Sequence, residues 1–142
     1  MVSDSNSAEI TSVETTALLD SGTTLTYLPS SIVSSIASAV GASYSSSYGY
    51  YLMKCPSSSS SVNITYNFQG VEINVPLTDV VLQADTVGTT CALALMSSSD
   101  IILGDSFLRS AYVVYDLKNY QIGLAQAKYS TDEDIEVITN TI

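Results

Sequence analysis

The run Asp20-Ser21-Gly22-Thr23-Thr24, with Ala17-Leu18-Leu19 before it and Leu25-Thr26-Tyr27-Leu28-Pro29 after it, constrains this chain more than any other stretch. Apolar residues on both sides predict buried strands, so the polar pentapeptide between them reads as a turn with one carboxylate at a strand tip. Glycine in third place suits a turn tight enough to need a residue without Cβ. A carboxylate so held has a defined position, which chemistry requires. Asp-Ser-Gly also occurs in ordinary turns, and the five residues by themselves favour that plainer reading.

At 142 residues the chain can bury a single core. Hydrophobic residues make up 46% and charged residues 13%, so the sequence is globular and its polar surface rests largely on Ser and Thr. Such a surface suits a secreted or cell-wall setting. Four basic against 14 acidic residues leave a net charge of −10, which argues against binding nucleic acid or an anionic membrane. The same balance attracts basic substrates and suits work in acid, and it serves solubility equally well.

The chain has no histidine, which excludes a Ser-His-Asp triad, a Cys-His pair and a His-ligated metal within it. Two cysteines do not make a thiolate zinc site, so neither metal nor cofactor is expected. Cys55 and Cys91 are either two buried thiols in a reducing compartment or a bridge in an oxidising one, and the bridge is the better choice. As a bridge they would close a long loop and contribute about 4 kcal/mol on the chain-entropy account. No stretch reaches the ~20 apolar residues of a membrane span. Met1-Val2-Ser3-Asp4-Ser5 lacks a signal-peptide pattern, so a secreted reading expects a signal upstream or already removed.

Along the chain, residues 1–12 read as a polar lead-in and Val13–Asp20 as a strand ending in the turn. Pro29–Val40 is the one clear helix: Ile32, Ile36 and Val40 recur every four residues beside Val33 and Ala37, with Pro29 in the first turn and Gly41 as the cap. Ser43–Ser47 reads as a loop, Tyr48–Met53 as a strand leading to Cys55, and Ser57–Ser61 as a flexible loop. Val62, Ile64, Tyr66 and Phe68 alternate with polar residues, as do Val71, Ile73, Val75 and Leu77 beyond Gly70, which predicts a hairpin ending near Pro76. Cys91–Met96, Ala111–Asp116 and Tyr120–Ala125 are further strands, and residues 129–142 an acidic tail. The class is mainly β with one helix. Asn63-Ile64-Thr65 is the single N-glycosylation match, making Asn63 the acceptor in a secreted protein.

A lone Asp hydrolyses nothing at useful speed. Two carboxylates within hydrogen-bond reach cannot both ionise cheaply, so one retains a proton that the other lacks. The ionised member can take a proton from water while its partner polarises a carbonyl. The hydroxyls of Ser21 and Thr23 can hydrogen-bond such a carboxylate or a facing turn. With one such turn, the chain reads as half of an active site.

The turn in its apolar setting, followed by Tyr27-Leu28-Pro29, resembles the catalytic turn of a pepsin-like aspartic protease. Ile102-Leu103-Gly104-Asp105-Ser106-Phe107-Leu108-Arg109, Ala111-Tyr112-Val113-Val114-Tyr115-Asp116 and Ile122-Gly123-Leu124-Ala125 follow in the family's order. The resemblance covers most of residues 13–128 and is to the C-terminal lobe of the bilobal fold, nearest the fungal yapsins and then the candidapepsins. It implies that Asp20 is the second catalytic aspartate and that Gly22 and Thr24 bind substrate backbone. Thr23 is implied to grip the partner turn, Tyr27 to line a pocket and Ile102 to stand on the primed side of the cleft. Gly104 and Asp105 are implied to be structural, and Cys55 and Cys91 to be the lobe's disulfide. The partner would be an N-terminal lobe or subunit with the first catalytic Asp, and the substrates peptides or proteins, cleaved near Lys or Arg as by yapsins. Yapsins are secreted or surface proteases, often GPI-anchored, although no hydrophobic anchor signal follows Lys128. The alternatives are a homodimer in the manner of retroviral proteases and a non-catalytic wall-associated module that retains the fold.

Overall fold

The computed structural model describes Val2–Ser3 and residues 15–131. Its first strands are β1 (Val2–Ser3), β2 (Leu18–Leu19) and β3 (Thr26–Leu28), followed by helix α1 (Ser30–Ala39). Then come β4 (Ser43–Ser45), β5 (Tyr50–Lys54), β6 (Asn63–Phe68), β7 (Val71–Pro76), β8 (Val81–Gln83), β9 (Thr90–Leu93) and β10 (Leu95–Ser97). The last elements are β11 (Ile102–Leu103), the one-turn helix α2 (Asp105–Leu108), β12 (Ala111–Asp116) and β13 (Gln121–Gln126). The chain is mainly β with one substantial helix, as its short alternating strands require.

The β6–β7 hairpin shows how the alternation builds the core. Its register sets Ile64 opposite Val75, Tyr66 opposite Ile73 and Phe68 opposite Val71, so the apolar sets of both strands share one face. Phe107 of α2 is completely buried beneath them, edge-on to the rings of Tyr66 at 5.0 Å and Phe68 at 5.8 Å. Helix α1 adds Val33, Ile36 and Ala37 to the same core, which Leu93, Leu95 and Leu103 complete.

α1 starts one residue later than its apolar period implies. Pro29 sits just outside at the N-cap, where its carbonyl accepts the N–H groups of Ile32 and Val33 at 2.9 and 3.1 Å. At the other end the Gly41 N–H reaches Ser38 O and the Ala42 N–H reaches Ala37 O, closing the helix as a Schellman turn.

Four other expectations are corrected. Of the strand expected over Val13–Asp20, residues 13 and 14 lie outside the described residues, and only Leu18–Leu19 pair. Ser43–Ser45, expected as loop, pairs with Tyr50–Leu52 as β4. The run Cys91–Met96 is two strands: the Ala94 N–H goes to Val80 O and its carbonyl accepts the Thr26 N–H, so one residue passes the chain between two sheets. Val2–Ser3, inside the expected lead-in, pairs with Asn63–Ile64, while residues 4–14 and the tail beyond 131 lie outside the described residues.

Two sheets frame the site. One has the order β10-β3-β11-β2, with β11 inserted between β3, to which it is antiparallel, and β2, to which it is parallel. The other is antiparallel, β4-β5-β9-β8, and carries the Cys55–Cys91 disulfide, whose Cα atoms are 4.9 Å apart. The bridge implied by the resemblance is therefore formed, and it closes the loop that contains the β6–β7 hairpin.

Candidate active site

Asp20 follows β2 directly, and its N–H is taken by the carbonyl of Leu103 on β11 at 3.0 Å. The turn closes through the Thr23 N–H to Asp20 O at 3.2 Å. The side chain is held at both oxygens: Gly22 N–H donates to Oδ1 at 2.9 Å and Thr23 Oγ1 donates to Oδ2 at 2.6 Å. A hydroxyl expected either at the carboxylate or at a facing turn thus serves the carboxylate of its own turn. Glycine suits this place by proximity: a Cβ at Gly22 would stand 3.2 Å from Asp20 Oδ1, a tight contact that the carboxylate would have to shift to relieve.

The carboxyl of Asp20 is lowered from its ordinary value, first by the Thr23 hydroxyl and then by the Gly22 N–H, against a smaller upward push from desolvation. It is half-buried, and a carboxylate accepts about four hydrogen bonds. Two are taken within the turn, which leaves acceptor capacity for a water or a second acid. Among the described residues no hydrogen bond joins Asp20 to another carboxylate.

The segment Leu103–Ser106 supports the turn from behind. Asp105 N–H donates to Thr23 O at 2.8 Å and Ser106 N–H to Thr24 O at 3.2 Å. Gly104 packs so closely that a Cβ on it would fall 2.2 Å from Leu25 O and 2.3 Å from Thr23 O. No side chain fits there without moving the turn. Below it, the buried hydroxyls of Thr26 and Ser106 bond each other at 2.8 Å. Gly104 and Asp105 thus shape the turn, as the resemblance implies, rather than presenting a second acid to Asp20.

An open depression of about 500 Å³ lies beside the turn, lined by Gly22, Thr23, Thr24, Leu25 and Tyr27, and across from them by Tyr50 and Leu82. Four of the expected substrate-binding residues, Gly22, Thr23, Thr24 and Tyr27, therefore meet in one place. Ile102 stands apart from it, half-buried on β11 in register with Leu18 and Tyr27. Leu25, Tyr50 and Leu82 were not anticipated. Leu82 is 43% exposed on a short edge strand, a placement that only the fold reveals. Asn63, the expected glycosylation acceptor, opens β6 half-buried and donates to Ser61 O at 3.3 Å, away from the depression's lining.

The single strand inserted behind a carboxylate-bearing turn defines one lobe of an acid protease, and comparison with known proteins agrees. The family model described as eukaryotic aspartyl protease matches residues 1–127, and the chain belongs to that family. It is 51% identical to Aspartic proteinase 3 of Saccharomyces cerevisiae, over 99% of this chain and 25% of that protein. It is likewise 51% identical to Aspartic proteinase yapsin-3 of the same yeast, over 98% of this chain and 28% of the relative. Secreted aspartic protease 8 of Candida albicans is 46% identical over 89% of the chain and 30% of that protein. The chain spans only a quarter to three tenths of the length of these curated relatives, and the stretch fits their C-terminal lobe.

Proposed function

We propose that this chain supplies one of the two catalytic carboxylates of an aspartic endopeptidase and that an N-terminal lobe or subunit supplies the other. The observation that carries this is the Asp20 carboxylate, tethered at both oxygens with acceptor capacity to spare and seated beside an open depression. A second acid brought against it would share one proton with it. The ionised partner takes a proton from the water between them as the water oxygen attacks the peptide carbonyl carbon. The protonated partner gives its proton to the carbonyl oxygen. As the resulting diol collapses and the C–N bond breaks, the carboxyl that took the water's proton gives it to the leaving nitrogen and the other carboxylate takes a proton from a diol hydroxyl.

The β12–β13 hairpin supports a partner lobe. It is a two-stranded sheet with Tyr115 opposite Ile122, both more than half exposed, and Leu117 and Tyr120 at its tip exposed by 83% and 95%. A patch of this kind marks an interaction surface. A preference for cleaving near Lys or Arg is proposed from the likeness to yapsins and from the net charge of −10. A secreted or cell-surface location is proposed from the formed disulfide and from relatives whose names include "secreted", and GPI anchoring only from the likeness to yapsins.

The test is to isolate the native protein and ask whether a second Asp-[Ser/Thr]-Gly turn accompanies this chain, in the same or another polypeptide. Pepstatin-sensitive cleavage of Lys- or Arg-containing peptides in mild acid, seen only with that second turn present, is the expected result. Activity that rises with the square of this chain's concentration alone would instead mean that two copies pair. Absence of cleavage by the two halves together would overturn the catalytic reading.

A further inference from the structure

A single side chain bridges the β12–β13 hairpin and β7. Among the described residues β7 ends the sheet β1-β6-β7, and β12–β13 is a separate two-stranded sheet. Between them stands Gln126, the last residue of β13. Its Oε1 accepts the Asn74 N–H at 2.7 Å, and its Nε2 donates to Asn74 O at 3.1 Å. The carboxamide thus meets the edge of β7 as the peptide groups of a neighbouring strand would. Nε2 also donates to Ser110 O at 3.0 Å, the carbonyl that accepts the Ala127 N–H at 2.9 Å. The acceptor faces a donor and both amide protons face carbonyls, so only a carboxamide of this length fits.

Ser110 leads on toward the catalytic turn. It lies just beyond α2, it is buried, and its N–H donates to Phe107 O at 2.9 Å. At the other end of α2 the Asp105 and Ser106 N–H groups hold Thr23 O and Thr24 O, and Thr23 in turn holds Asp20 Oδ2. Gln126 therefore fastens the hairpin near one end of a four-residue helix, and the Asp20 turn rests on the other end. The hairpin is the surface a partner lobe would meet, and Asp20 is the acid that must come within hydrogen-bond reach of the partner's acid. A misplacement of about 1 Å between reacting groups costs on the order of a hundredfold in rate. Gln126 is itself exposed, and hydrogen bonds open to water add little to stability. Its worth lies in direction, because three bonds to one planar group orient the hairpin against β7 and α2 together.

We propose that Gln126 is a positioning residue of the protease: its carboxamide sets the angle between the partner-facing hairpin and the Asp20 turn, and so the distance across which the two acids share a proton. This rests on the reading of the chain as half of an aspartic endopeptidase and adds to it the side chain that aligns the halves.

The test uses the complete protease, with this lobe paired to the one that carries the other acid. Wild type is compared with Gln126→Met, which fills similar space without the hydrogen bonds, by following Tm and the dependence of kcat and kcat/KM on pH. Two acids that share a proton give two apparent pKa values, which their interaction holds apart. Acids set farther apart interact less, so in the variant the two limbs of the profile should move toward each other. The same change should lower kcat by about tenfold or more, leave KM within about twofold and barely alter Tm. If Gln126→Met does not fold, Gln126→Ala is judged by the same measures. A lower Tm or failure of both variants to fold, with the limbs of any active variant unmoved, would make Gln126 merely structural and overturn the proposal. An unchanged kcat and profile would overturn it as well, and in each of these cases the wild-type endopeptidase reading stands. A wild type that neither cleaves nor binds pepstatin would remove the endopeptidase reading, and the positioning role with it.

Discussion

Asp20 and Asp85 both lie in turns that end in Gly-Thr-Thr, at Gly22-Thr23-Thr24 and at Gly88-Thr89-Thr90. Asp85 accepts four hydrogen bonds, from the N–H groups of Gly88, Thr89 and Thr90 at 2.7, 3.0 and 3.0 Å and from Thr89 Oγ1 at 2.9 Å. Its acceptor capacity is spent on its own loop. Desolvation, the largest single influence on it, pushes its carboxyl up, yet the hydrogen bonds together outweigh that and hold it at about 2. Asp20 accepts two bonds and is backed by a strand inserted from far along the chain. A saturated carboxylate pins a loop, whereas an unsaturated one on a rigid support can do chemistry. Residue types nearly the same in the two places are separated in role by what surrounds them.

Exchanging the two acids for amides gives the largest contrast. Asp20→Asn should lower kcat of the complete protease by about a thousandfold or more with little change in Tm. Asp85→Asn should lower Tm and leave kcat/KM within about twofold. Equal losses of activity from both would break the distinction. Next comes the support: Gly104→Ala should destabilise the lobe by more than about 3 kcal/mol in denaturant unfolding, because the new Cβ meets backbone on two sides. Replacing Cys55 and Cys91 together by Ala should cost about 2–4 kcal/mol in the same measurement, and should leave the hydrogen bonds of the Asp20 turn intact.

The Asp85 comparison has a pH signature of known sign. Its folded value of about 2 lies below the ordinary 3.8, so its contribution to stability is complete above the ordinary value and disappears as pH falls through about 2. The Tm difference between wild type and Asp85→Asn should therefore persist in mild acid and vanish near pH 2. The smallest effect concerns Tyr66, whose buried hydroxyl has no hydrogen-bond partner among the described residues and whose ionisation is pushed strongly up by desolvation. Tyr66→Phe should stabilise the lobe by about 1 kcal/mol in thermal or denaturant unfolding.

What could be read without coordinates was whatever repeats over several residues or bears a distinctive turn. The alternation through Ile64, Tyr66 and Phe68 located β6, and the four-residue recurrence of Ile32, Ile36 and Val40 located α1 to within a residue. β11 and α2 hold two and four residues, too few to show a period, although both lie in the stretch from Ile102 to Arg109 that carries part of the family resemblance. Serines hid β4, since they have little strand preference, and a continuous apolar run concealed the change of sheet at Ala94. Tyr50 and Leu82 are brought to Tyr27 by the packing of one sheet beside another, which no local pattern encodes.

The route by which Ile102–Leu103 reaches its place bears on how the molecule matures. It enters between β2 and β3, and the Thr26–Ser106 bond beneath it joins residues 80 positions apart. Closing so long a loop is slow compared with forming a hairpin such as β6–β7. The Asp20 turn is accordingly expected to acquire its shape among the last events of folding, after the local hairpins and α1. Newly made chains would then pass through a stage that is compact yet lacks a finished Asp20 turn, which takes its shape only when Gly104 docks.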